Sequence, residues 1–270
     1  MNYLIFVAIG IVMGIFGGLL GIGGSVIMIP ALVFAFGENQ HLYQASAMIC
    51  NFFVGAAAVI VHKNANSLVK DVIKWLVPSA ALGILVGVAI SNSSAFARQN
   101  SYLLARLFGV FMLFVVIYNC LRLFHRLTGG IAYDVSQIRY SAGLTILSGF
   151  LSGISAGLLG LGGGVVCVPA QQIFLKMPLK MAISNSAATI ASIAVIGALY
   201  KNITLPQHNI QIMESITMAA MVIPGAVLGS FLGSRFMHKF PTNVVRVVFI
   251  LLAALACYKL FTVAPALRPF

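Results

Sequence analysis

The sequence predicts an all-α, polytopic membrane protein made of two homologous halves, and three observations carry that prediction. Of 270 residues, 61% are hydrophobic and only 7% are charged, against about 25% charged in an ordinary soluble domain. The apolar residues gather into about eight stretches of membrane-crossing length or more. The first and fifth stretches repeat one another, residue for residue, around a glycine cluster. The same figures exclude a soluble globular chain, which lacks the polar side chains to cover itself, and a disordered one, which would be polar. With 4 cysteines, Cys50, Cys120, Cys167 and Cys257, far apart in apolar stretches, a disulfide scaffold is excluded too, and the thiols read as small apolar filling.

The stretches run over 3–36, 42–62, 72–92, 101–124, 140–175, 180–200, 211–234 and 243–264. Six of them fit one crossing of a hydrocarbon core about 30 Å thick. The first and fifth are too long for that, because about 34 residues of continuous helix would run about 50 Å. Each carries a glycine cluster near its middle and a proline soon after, so each is predicted to be two helical pieces joined by a break. The N-terminal stretch begins without a charged lead or a small-residue cleavage pattern, so no removable signal peptide is expected.

Gly14 to Pro30 matches Gly153 to Pro169 without a gap, setting Gly21, Gly23, Gly24 and Pro30 opposite Gly160, Gly162, Gly163 and Pro169. The echo continues in Lys63-Asn64 with Lys201-Asn202, in Pro78, Gly83 and Gly87 with Pro224, Gly229 and Gly233, and in Arg106 with Arg246. The expected organisation is a membrane repeat over 1–126, a cytoplasmic linker over 127–139 and a second membrane repeat over 140–270.

Sixteen Lys and Arg against four Asp and Glu give a formal charge of +12. The basic residues are scattered between apolar stretches, which reads as loop charge facing the cytoplasm and not as a nucleic-acid surface. If each long stretch crosses once, the halves are parallel and Lys plus Arg divide 9 against 7 between the two faces. If each dips in and returns, the halves are inverted and the division is 11 against 5, with Arg98, Arg106, Lys201, Lys259 and Arg268 on the poorer face. The second arrangement satisfies the positive-inside rule. It gives an inverted repeat with broken helices in the first and fifth stretches. Glu38, Asp71, Asp134 and Glu214 all fall in loops or at stretch edges, which argues against a cation or metal pathway.

A helix broken inside a membrane exposes backbone amides that must line a cavity or find a partner. The half-helix that follows points unpaired N–H groups and the positive end of its dipole at the break, an arrangement suited to an anion. Gly23, Gly24, Gly162, Gly163 and Gly164 are therefore the expected backbone donors, with Ser25, Asn51, Asn185 and Thr189 as lining side chains. Close helix packing is the competing use of these glycines, and it accounts for small-residue pairs such as Gly14/Gly18, Gly83/Gly87 and Gly229/Gly233. Those faces would also suit a homodimer. Gln171 and Gln172, just past Pro169, are further lining candidates. Arg106 and Arg246 could draw anions inward or snorkel to the interface.

Gly153-Ile-Ser155-Ala-Gly157 has the pattern of a serine nucleophile, but the first repeat has Phe16 at the matching position. His41, His62, His125, His208 and His238 all lie at stretch edges or in loops, too far out to take a proton from a serine at depth. No Gly-Lys-Ser/Thr follows a glycine cluster. An enzyme is not expected, nor a metal or cofactor.

The doubled G-x-G-G…Pro segments, Gly17–Pro30 with Ala31-Leu32 and Gly157–Pro169 with Ala170, resemble the TauE/SafE family, the sulfite exporter-like TSUP permeases. The starts of the second and sixth stretches, Ala45-Ser46-Ala47 and Ala182-Ile183-Ser184, fit it as well. One departure is Gln171, where the family pattern has leucine. The resemblance implies a multi-pass secondary transporter of the bacterial inner membrane, whose partners are the bilayer and a small sulfur-containing anion such as sulfite, thiosulfate or an organosulfonate. A carboxylate permease of the same architecture, or a non-transporting membrane scaffold, are the alternatives.

Overall fold

The computed structural model describes residues 2–37, 39–96, 101–127, 138–237 and, within the last stretch, 247, 250, 251, 253–255, 257, 258 and 261. Arg246 and most of the expected linker lie outside the described residues. The described chain is helical throughout: α1 (Asn2–Leu20), α2 (Ser25–Phe36), α3 (Gln40–Asn64), α4 (Lys70–Ser91), α5 (Ser101–Leu127), α6 (Ala142–Leu159), α7 (Gly164–Phe174), α8 (Leu179–Thr204) and α9 (Ile212–Phe236), with short 3-10 turns at Ser94–Phe96 and Leu205–His208. Seven of these helices are long and apolar enough to cross a membrane, while α2 and α7 are short.

Both long stretches break where the glycines stand. Gly160 ends α6 in the left-handed region at φ +74°, and Gly163 precedes α7 at φ +82°. In the first stretch Gly21 and Gly23 take φ +59° and +81°. A side chain would cost roughly 1–2 kcal/mol at each such residue. These turns reverse the chain. Gly24 lies against Met13, halfway up α1, and Gly163 against Ser152 and Ala156 of α6. From there α2 runs back until Phe36 stacks on Phe6, with ring centroids 5.1 Å apart. The second hairpin closes alike, the Arg139 amide donating to Leu175 O at 2.9 Å.

Glycine faces set the long-range packing. Gly10, Gly14 and Gly18 of α1 lie against the backbone at Val222, Ala226 and Ser230, and Gly225, Gly229 and Gly233 of α9 against Val7, Ile11 and Ile15. The register rises together, so α1 and α9 run parallel. Gly149, Gly153 and Gly157 of α6 meet Leu76, Ala80 and Ile84 of α4 in the same sense. The first helix of each half thus packs on the fourth helix of the other, and α3 crosses α8 between them. These faces are used up inside one chain, so glycine spacing gives no argument for a homodimer.

Following the chain through these contacts gives the molecule two ends. One holds the open end of the first hairpin, the start of α3, and the ends of α4 and α8; it is called here the His41 end. The other holds the open end of the second hairpin, the end of α3, and the starts of α4 and α8, where Ser67 and Ser184 hydroxyls meet at 2.7 Å; it is the Lys180 end. Exposed Leu, Ile, Val and Phe side chains cover the outward faces, Leu4, Leu82, Leu199 and Leu228 among them, as expected of surfaces solvated by lipid.

Candidate functional site

The two glycine turns meet at the centre of the molecule. A methyl group on Gly23 would press on Leu161 O at 2.7 Å, and one on Gly164 would run into the backbone of Gly21 and Ile22. Each turn is held by a helix of the α3/α8 crossing. Ser186 donates to Gly21 O at 2.6 Å, and Asn51 Nδ2 to Gly160 O at 3.4 Å. Gly23, Gly24, Ser25, Asn51, Gly162 and Gly164 are thus brought together. Gly163 sits one layer away, its carbonyl accepting from Ser152 Oγ at 2.8 Å.

The two breaks differ in what caps them. Asn51 Oδ1 accepts from the amides of Gly24 at 3.1 Å and Ser25 at 3.3 Å, while its Nδ2 donates to Ser25 Oγ at 3.0 Å. The donors expected for a ligand at the start of α2 are therefore held by the protein's own carboxamide. The Lys63/Lys201 match sets Thr189 opposite Asn51, and Thr189 does otherwise: its hydroxyl turns back to Asn185 O at 2.8 Å. Among the described residues no side chain accepts from the first-turn amides of α7, of which those of Val166 and Cys167 go to Gly163 O. The first turn of α7 therefore keeps the positive end of its dipole free of a side-chain acceptor.

Asn185 takes no part in this centre. Its Oδ1 accepts from the Val69 amide at 2.9 Å and its Nδ2 donates to Gln171 Oε1 at 3.1 Å, which fastens the start of α4 to α7 and α8 near the Lys180 end. Gln171 also donates to Ala182 O at 3.3 Å, so its departure from leucine serves that joint. Gln172 lines a cleft, with Leu20, Ile22, Phe114, Tyr118, Val165, Val168, Pro169 and Leu179, that leads from the start of α8 to the first turn of α7. Arg106 lies over the ring of Tyr102, 5.2 Å from its centroid, away from the breaks. Ser155 donates to Ser152 O at 2.8 Å, the ordinary bond of a serine within a helix.

One cluster escapes the sequence reading. Lys201 is wholly buried at the His41 end, with Nζ 2.6 Å from Ser91 Oγ, 3.0 Å from Asn92 Oδ1 and 3.0 Å from His41 Nδ1. Its repeat partner Lys63 is exposed. A basic residue at a stretch edge is ordinarily a solvated one, and only the convergence of α3, α4 and α8 buries this one.

Comparison with known proteins places this architecture. The family model described as Sulfite exporter TauE/SafE matches residues 6–260. The probable membrane transporter protein YunE of Bacillus subtilis is 24% identical, over 96% of this chain and 98% of its own. The probable membrane transporter protein MJ0441 of Methanocaldococcus jannaschii is 28% identical, over 90% of this chain and 89% of its own. The probable membrane transporter protein MamO of Magnetospirillum gryphiswaldense is 26% identical over 92% of this chain, which spans only 43% of MamO. No solved structure matches. Seven membrane-length helices among the described residues make this a multi-pass membrane protein, and the chain belongs to the sulfite exporter TauE/SafE family.

Proposed function

We propose that the chain is a secondary permease for a small sulfur-containing anion, carried by alternating access between two inverted repeats, 1–126 and 140–270. The reading rests on one observation above all: two glycine breaks touch at the centre, one capped by Asn51 and the other, among the described residues, with no side chain accepting from its first-turn amides, beside a cleft. An anion at the start of α7 would accept from the amides of Gly164 and Val165 and meet no fixed charge there, the geometry expected of repeat-built transporters. Gly162 and Gly163 would shape the turn, with Thr189 and Gln172 beside it. Gly23, Gly24 and Ser25 would serve the same role in the opposite-facing state, once Asn51 lets go of them. Hairpins opening at opposite ends, and the greater number of basic residues at the Lys180 end, support the inverted arrangement with that end toward the cytoplasm.

The test is flux by the purified protein in liposomes, with radiolabelled sulfite, thiosulfate, methanesulfonate and acetate offered separately. Uptake of one sulfur anion, reduced in Thr189→Asn while insertion and monodispersity are kept, is the expected result. Uptake of acetate alone would make the chain a carboxylate permease, and no flux of any solute would favour a membrane scaffold.

A further inference from the structure

Lys201 stands in the α8 span, one turn from its end, and three acceptors close round its Nζ from two other helices: His41 of α3, and Ser91 and Asn92 at the end of α4. The protonation of this group follows from counting hydrogens. His41 Nε2 faces the carbonyl oxygen of Phe96 at 2.8 Å. Two acceptors do not meet at that distance, so Nε2 carries the hydrogen and a neutral His41 offers only a lone pair at Nδ1. Lys201 then needs three N–H donors for three acceptors. The alternative, an imidazolium donating to an amine, moves the proton but not the count. Either way the Lys201–His41 pair holds one net positive charge in a fully buried place.

The surroundings supply hydrogen bonds but no opposite charge. His208 stacks on His41 with ring centroids 3.7 Å apart and reaches Asn92 Oδ1 at 3.4 Å. Asn92 donates to Thr204 Oγ1 at 2.8 Å, and Ser91 to Gln44 Oε1 at 3.2 Å. Among the described carboxylates, Asp71 pairs with Lys74 at the Lys180 end, and Glu214 closes the cap of α9 on the Gln211 amide. Glu38 lies outside the described residues. A buried cation served only by neutral dipoles is costly to hold, and an anion is the ligand that lowers that cost. The network also leads inward: Gln44 Nε2 donates to Leu158 O at 3.2 Å, and Gly160, which opens the second glycine break, packs on the Gln44 side chain.

We propose that Lys201, with His41, Ser91 and Asn92, is an anion-recognition latch at the His41 end: a small oxyanion takes over the ammonium from Ser91 Oγ and Asn92 Oδ1, and so frees the end of α4 from α8. This rests on the anion reading of the central site and adds a second, outer site to it. Charge-assisted bonds to an oxyanion are stronger than those to a hydroxyl or amide oxygen, so the exchange runs toward the ligand. Lys201 is then a binding residue, while Ser91 and Asn92 are the contacts it gives up.

Val88, fully buried one turn before Ser91, reports on that release. Val88→Cys is placed in a Cys120→Ser background, and its maleimide labelling rate is measured in detergent with sulfate or methanesulfonate against gluconate at equal ionic strength. Neither probe reacts with maleimides. A several-fold faster labelling with either probe, abolished in Lys201→Met and kept in Lys201→Arg, is expected. Size-exclusion profiles of all variants separate loss of response from loss of fold, and Asn92→Ala gives fast labelling that no longer depends on the anion. Three results would overturn the latch: no response of the parent to either probe, a response untouched by Lys201→Met, or one that emerges only after Glu38→Gln, which would make Glu38 the counter-charge. Liposome flux run beside it keeps the two readings apart. Labelling that responds while no sulfur anion is transported removes the permease reading and leaves the latch standing.

Discussion

Asn51 Oδ1 takes the amide of Gly24 at 3.1 Å, whereas Thr189, its counterpart in the second repeat, gives its hydroxyl to its own helix at Asn185 O. Two segments that match residue for residue are therefore finished differently, one sealed and one left open.

Removing the seal should be costly. Asn51→Ala strands the Gly24 and Ser25 amides in a buried place, at about 1–3 kcal/mol for the unsatisfied groups. A fall in the thermal unfolding midpoint in detergent, absent from Ser192→Ala on an exposed bond, is the expected result.

Supplying the missing seal should silence the other break. In Thr189→Asn the carboxamide reaches toward the first turn of α7 as Asn51 reaches toward α2. The protein should remain folded and membrane-inserted while its flux falls, and unchanged flux would show that the start of α7 is not on the path.

Gly37 and Gly163 share a positive φ but differ in ψ, −167° against −16°, and in the space around them. Gly37 has φ +84° with open space where a Cβ would stand, and Gly163 has φ +82° with Ser152 Oγ 2.6 Å from that point. Gly37→Ala, in a backbone region open essentially to glycine alone, should lose only a strain term of about 1–3 kcal/mol. Gly163→Ala should lose a left-handed term of about 1–2 kcal/mol and an overpacking term of about 1–3 kcal/mol besides, which chemical unfolding of the two variants would measure.

Helix faces give a third contrast. Gly14→Leu or Gly153→Leu drives a side chain into the backbone of α9 or α4 and should leave aggregated protein, whereas Gly143 has nothing near it. Gly143→Ala should be neutral or stabilising by up to about 1 kcal/mol. Yield of monodisperse protein reads out both.

Topology can be checked at Asn39 and Asn66, which flank α3. With Cys120→Ser, cysteines at these two positions should label from opposite faces of a sealed vesicle. Labelling from one face would contradict the crossing of α3.

The sequence is most legible where backbone geometry demands a residue type. Only glycine suits the turns at Gly23 and Gly163, so their doubling shows in the letters, and so do the glycine faces of α1 and α4. Side-chain destinations are less legible. Asn51 and Asn185 are alike as polar residues within apolar stretches, yet one caps the central break and the other fastens Val69, because the choice depends on which turn lies across from each. Lys201 is the extreme case. It reads as loop charge on the poorer face, since the groups that bury it are some 110 and 160 residues away in the chain.

The crossed pairing of first and fourth helices also governs how the chain can be made. Helix α1 leaves the ribosome ahead of its partner α9, which follows about 210 residues later, at about 5–20 residues per second a wait of roughly 10–40 s. Throughout that interval Gly10, Gly14 and Gly18 face lipid instead of a helix. Neither half can mature alone, so final assembly has to follow insertion of the whole chain, and a break in synthesis anywhere before α9 strands an inserted but unpaired first helix.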